Sequence, residues 1–136
     1  MNQPETRVLE TAAGPGALED IETALERTWT AFPDVPHIVR MHLGIATSEI
    51  GANIVEHAAP GRPVQIWMDV RLLPGQVCVE FTDDGGPVHI DMNAVCLPDD
   101  MAERGRGLAL AQAVLEELVY RRAELNQWIL LSKRFS

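Results

Sequence analysis

The stretch VQIWMDVRLLPGQVCVEFTD, residues 64–83, decides the fold. Val64, Ile66, Met68, Val70 and Leu72 alternate with Gln65, Trp67, Asp69 and Arg71, which is the period of a strand with one buried face. Pro74 and Gly75 supply a turn. Val77, Val79 and Phe81 then alternate with Gln76, Cys78, Glu80 and Thr82. Two alternating runs about a short turn predict an antiparallel hairpin with one buried face. Asp83 continues the phase of Val77, Val79 and Phe81, so it is expected to point inward, where a carboxylate needs a donor. A ligand amine, such as the exocyclic amine of adenine, is one such donor, and Gly85 and Gly86 would let a ring approach the backbone. A plain Asp-Gly turn is the competing reading.

Working outward, residues 6–10 read as a short opening strand, and Gly14, Pro15 and Gly16 break the chain. Leu18, Ile21, Leu25 and Trp29 then recur at helical intervals, and Pro33 and Pro36 close that helix. A second helix is predicted from His37 to about Ala58, with Val39, Leu43, Ile50 and Ile54 on one side and Pro60 and Gly61 after it. Downstream, residues 84–106 carry little periodicity and read as a long loop. A helix is predicted from Gly107 to Val119 on the spacing of Leu108, Leu115 and Leu118, followed by strands near 119–121 and 128–133. This order predicts an α/β (α+β) two-layer sandwich, a mixed, mainly antiparallel sheet with helices on one face. A loop of about twenty residues is uncommon in a compact domain and is usually functional.

The chain has 136 residues, of which 46% are hydrophobic. That predicts a single domain over 1–136 with a core of its own. A formal net charge of −9 argues against general binding to nucleic acid or to anionic membrane surfaces. Glu5, Glu10, Glu19, Asp20, Glu22 and Glu26 face only Arg7 and Arg27 in the first thirty residues, either a solvated helix face or a docking face for a basic partner. Cys78 and Cys96 form no CxxC pair, and no run approaches the length of a membrane span. With no signal-peptide pattern at the start, a cytoplasmic protein is expected.

Two further constellations carry chemistry. Glu49, Asn53 and His57 follow at steps of four on the second helix, so a carboxylate and a carboxamide oxygen share a face. Such a pair suits a hard cation together with a proton acceptor; an exposed polar stripe is the bland alternative. Gly105, Arg106, Gly107 and Leu108 open the third predicted helix, where amides at a helix start suit phosphate; a flexible helix start is the alternative there.

Taken together, Glu49-x3-Asn53-x3-His57, Asp83-x-Gly85 and Gly105-x-Gly107-Leu108 resemble the N, G1 and G2 boxes of the Bergerat-fold ATPases. The stretch ERGRGLAL, residues 103–110, and the short chain resemble the RsbW and SpoIIAB type of anti-sigma-factor serine kinase in particular. The likeness runs from about residue 6 to 135. It implies that Glu49 is the catalytic base and that Asn53 is the ligand of Mg2+. It implies that Asp83 and Gly85 bind adenine, that His57 ends the N box, and that Gly105, Arg106, Gly107 and Leu108 lie near the phosphates of ATP, with residues 86–104 as a lid. It implies phosphorylation of a small anti-sigma-factor antagonist on serine, sequestration of a sigma factor, and a homodimer. Two departures stand out: Pro87 sits where many relatives have glycine, and the final strand lacks the threonine expected near adenine, its nearest hydroxyl being Ser132. An ATP-binding regulatory module without kinase activity, a detached histidine-kinase-like catalytic domain and a metal-dependent hydrolase remain as alternatives.

Overall fold

The computed structural model describes residues 6–58, 62–88 and 103–136, apart from the side chains of 103–106. The elements are β1 (Arg7–Ala12), α1 (Ala17–Ala31), α2 (His37–Glu56), β2 (Gln65–Leu73), β3 (Gln76–Asp83), α3 (Glu103–Val114), β4 (Leu115–Arg122) and β5 (Asn126–Ser132). They form an α+β fold whose five-stranded open sheet has the order β1-β2-β3-β5-β4. Each of the four described pairings is antiparallel.

The hairpin comes from the alternation in residues 64–83. Ile66, Met68 and Val70 of β2 and Val77, Val79 and Phe81 of β3 are buried on one face, with the turn at Gly75 in a left-handed conformation at φ 72°. Trp128 and Leu130 of β5 continue that face, and Ile21, Leu25, Leu43, Ile50, Ile54 and Leu108 cover it from the helices. Burial of such side chains is the main favourable term, each contributing roughly 1.5–3 kcal/mol. Helix α1 sits close on α2 because Gly51 has no side chain: a methyl there would stand 2.8 Å from Cδ1 of Ile21.

Several boundaries differ from the sequence reading. Leu18 is exposed, and the buried face of α1 runs instead through Ala17, Ile21, Ala24, Leu25 and Thr28. The stripe is rotated because small residues let α1 approach. Leu72 is also exposed; near the end of α1 the sheet is left open as a groove of about 650 Å3 between Phe32 and Leu72. The third helix does not run from Gly107 to Val119. It spans Glu103–Val114, and Leu115 passes directly into β4, which pairs with β5 from Leu115↔Ser132 to Arg122↔Asn126. Leu115 and Leu118 fit a helical spacing, but ladder pairing of the backbone with β5 overrides it. The expected loop at 84–106 therefore ends by Glu103; most of it, with the lid expected at 86–104, lies outside the described residues.

Candidate functional site

Strand β3 ends at Asp83, a residue only 3% exposed. Its carboxylate is held by two donors on one oxygen. The backbone N–H of Gly85 donates to Oδ1 at 2.9 Å, and Nδ2 of Asn126 donates to the same oxygen at 2.9 Å. Gly85 permits the first bond, because a methyl on it would lie 2.9 Å from Oδ1. Oδ2 has no partner among the described residues. Burial pushes the Asp83 carboxyl above its ordinary value of 3.8, and the bonds from Asn126 and Gly85 pull it back. The adjacent Asp84 is structural: its Oδ1 accepts from the N–H of Gln65 at 2.8 Å, and its carbonyl accepts from Arg62 at 2.7 Å.

Asn126 opens β5 directly across from Asp83 and is 1% exposed. Its Nδ2 also donates to the carbonyl of Gly86 at 2.7 Å. Its Oδ1 accepts from the hydroxyl of Tyr120 and from the Arg122 guanidinium, the latter at 2.9 Å. Arg122 donates in turn to the carbonyl of Gly85 at 3.0 Å, and the Tyr120 hydroxyl accepts from the N–H of Val88 at 3.1 Å. Sequence reasoning does not single out position 126 as a site residue. The signal available was register, since the pairing of β5 with β3 brings residue 126 opposite residue 83. Ser132, the hydroxyl singled out from sequence, lies at the far end of β5, where it accepts from the N–H of Val77 at 2.9 Å.

Helix α2 places Asn53 and His57 beside this group. Asp83, Gly85, Asn126 and Trp128 line one cleft with them. Asn53 is buried, and its Nδ2 donates to the carbonyl of Glu49 at 3.2 Å, so its Oδ1 is the atom left to meet a cation. His57 ends α2, its N–H bonded to the carbonyl of Asn53 at 3.0 Å. Trp128 is 1% exposed, and its Nε1–H has no acceptor among the described residues. A buried donor without a partner is uncommon and suits a ligand acceptor, such as a ring nitrogen. One carboxylate oxygen, one carboxamide oxygen and one indole N–H therefore fit the adenine nucleotide and Mg2+ implied by the resemblance. The cleft has about 10 Å3 of room, enough for a single water, so a purine enters only when its lining moves apart.

Glu49, half-buried and one turn before Asn53, is not among the residues lining this cleft. It lines a second opening, a groove of about 480 Å3 between α1 and α2 that also includes Glu22, Glu26, Trp29, Met41 and Leu110. No Lys or Arg is among its described lining residues. Gly107 lies in α3 against the Glu49 carboxylate.

The expectation that Gly105 and Gly107 open the third helix is corrected, since it begins at Glu103 and both lie inside α3. In a helix beginning at Glu103, the N–H of Gly107 reaches back to the carbonyl of residue 103, and only first-turn amides such as that of Gly105 stay open. The Arg106 side chain lies outside the described residues. Leu108 is buried in the core.

Comparison with known proteins gives the same architecture. Residues 12–133 match the model of a family described as the histidine kinase-like ATPase domain. Among solved structures, the chain is similar to the histidine kinase domain of the blue-light activated histidine kinase EL346 from Erythrobacter litoralis, with a TM-score of 0.53 and 15% identity. That match covers 85% of this chain and 60% of the other, so the chain spans less than two thirds of that structure's length. At this identity the likeness concerns the fold. No curated protein matches the chain.

Proposed function

The chain belongs to the histidine kinase-like ATPase domain family, and from that premise we propose that it is an anti-sigma-factor serine kinase. In this reading it binds ATP with Mg2+, phosphorylates a small antagonist protein on serine and sequesters a sigma factor. An ATP-binding, kinase-like function follows from the family itself. The protein substrate is supported by one observation: successive turns of α2 serve two openings, with Glu49 on the acidic groove and Asn53 and His57 on the cleft with Asp83.

Asp83 would accept the adenine amine, and Oδ1 of Asn53 would hold Mg2+, which neutralises charge on the triphosphate. First-turn amides of α3 such as that of Gly105 would face the phosphates. In the transfer, the serine Oγ bonds to the γ-phosphorus as the bond to the β,γ-bridging oxygen breaks, and the leaving ADP keeps that electron pair. The serine proton passes to the Glu49 carboxylate. The acidic groove favours encounter with a basic segment of the acceptor or of the sigma factor. Phosphate on the antagonist adds about −1.5 to −2 charges, which an acidic chain repels. Release of the phosphorylated antagonist frees the kinase, in this scheme a homodimer, to hold sigma.

The deciding experiment is transfer of labelled phosphate from ATP to the small antagonist protein, with Glu49→Ala beside the parent. Label on serine that disappears in the variant supports the reading. Label retained at the parental rate, or no label with ATP bound, refutes it.

A further inference from the structure

Asn126 carries more hydrogen bonds than any strand register requires, and each one fixes its orientation. Nδ2 gives its hydrogens to Asp83 Oδ1 and to the carbonyls of Gly86, at 2.7 Å, and Gly85, at 3.5 Å. Oδ1 fills both of its acceptor sites with the Tyr120 hydroxyl and Arg122. Turning the amide over would set Oδ1 against three acceptors and the amino group against the Arg122 guanidinium, which can only donate, so one orientation satisfies the network. Both donors to Asp83 converge on Oδ1, while Oδ2 has no partner among the described residues.

We propose that Asn126 is the positioning residue of the nucleobase site, gripping Asp83 by Oδ1 so that Oδ2 is presented to the amino group of a purine. The inference rests on the adenine-nucleotide reading above and goes beyond it by assigning the group that aims the carboxylate. A carboxylate free to rotate would offer either oxygen and would serve a guanine edge, with its two adjacent N–H donors, as readily as an amine. One gripped on Oδ1 offers a single acceptor and favours adenine. Asn126 also stabilises the ionised form of Asp83, because it donates to the carboxylate. The other charged and titratable groups here are Asp84, which opposes that ionisation, Arg122, which favours it, and His57, which lines the cleft.

Asn126→Leu keeps the branched shape and removes every polar atom of the side chain. Calorimetry with ATP and with GTP, over about pH 4 to 8, should be run on the parent, Asn126→Leu, Asn126→Thr and Asp83→Asn. ATP's own titration is common to all four and cancels in the comparison. In Asn126→Leu the affinity for ATP should fall about tenfold, the preference for ATP over GTP should shrink, and the pH at which affinity is half lost should rise. The last follows because affinity needs the carboxylate, and loss of a donor lets it take a proton at higher pH. Asn126→Thr, which restores a donor, should move that pH back toward the parent. Asp83→Asn should show no shift of this kind. Where Asn126→Leu does not fold, Tyr120→Phe, which removes one of the two groups fixing the amide, should give a smaller rise of the same sign.

A folded variant with the parental pH midpoint and the parental ATP preference overturns the role of Asn126 while leaving ATP binding intact. A parent that binds neither nucleotide overturns the underlying reading and this inference with it.

Discussion

The carboxylate of Glu49 lies against the Cα of Gly107, so close that a methyl group there would overlap Oε1. Helix α3 thus needs glycine at this point for the sake of a side chain on α2. Gly107→Ala should leave the fold intact, since alanine favours a helix interior by about 1 kcal/mol over glycine and the end of a glutamate can swing aside. The change falls on position instead. Displacing a catalytic group by about 1 Å can cost on the order of 10²-fold in rate. Thermal melting and ATP affinity should stay close to the parent, and serine phosphorylation in the labelled-phosphate assay should fall about 10- to 100-fold. Parental transfer by this variant would show that the contact is packing only.

The Asp83 carboxyl gives opposite pH signatures for stability and for binding. Burial raises it above its ordinary value, so the folded state holds that proton more tightly than the unfolded chain. Its contribution to stability is therefore present below the ordinary value and is lost as pH rises through the raised one. Asp83→Asn does not titrate. In urea melts its stability relative to the parent should improve as pH rises from about 4 and then level off. ATP binding moves the other way: the variant should lose roughly 1.5–3 kcal/mol at neutral pH, and the difference should narrow in acid.

Much of this site was legible because its parts lie on elements with strong periodicity. The alternation through Phe81 puts Asp83 inside, and the steps of four put Glu49, Asn53 and His57 on one helix. What sequence could not separate was the direction of neighbours on that helix: Glu49 lines the groove, and Asn53 lines the cleft. A register of 3.6 residues per turn leaves residues four apart about 40° out of line, enough to divide them between two openings. Asn126 escaped notice because its role is set by a cross-strand partner 43 positions away, and nothing local to the strand announces it. The start of α3 was misplaced for a different reason. Gly105 and Gly107 read as the glycine-rich opening of the helix, whereas the helix begins at Glu103 and Gly107 is kept for the contact with Glu49.

Binding and chemistry should separate along α2. Asn53→Ala removes the carboxamide oxygen proposed for Mg2+, so nucleotide affinity should lose its dependence on Mg2+ while Asp83 still holds adenine. Glu49→Ala should bind ATP and Mg2+ as the parent does and transfer phosphate about 10²–10⁴-fold more slowly. Calorimetry with and without Mg2+, set beside the transfer assay, checks both. A Glu49→Ala protein that has lost ATP affinity would place that carboxylate in binding instead.

The groove between α1 and α2 yields the test of partner choice. Glu22 and Glu26 are exposed on its lining, and Glu49 lies in the same groove. Three carboxylates without a described Lys or Arg among them should draw a basic segment of the antagonist across the groove toward Glu49. Charges at such exposed positions act mainly on the rate of encounter, and salt screens them over about 10 Å at 0.1 M. Glu22→Lys combined with Glu26→Lys reverses the sign of the groove at positions distant in sequence from Asn53, Asp83 and Asn126. ATP affinity should be unchanged. Association with the antagonist, followed by stopped flow, should slow by about tenfold at low ionic strength and converge on the parent at high salt. Turnover of bound antagonist should hold, because Glu49 itself is intact. If the double reversal leaves association untouched at every salt concentration, the antagonist does not enter through this groove, and the acidic helix α1 is a solvated face.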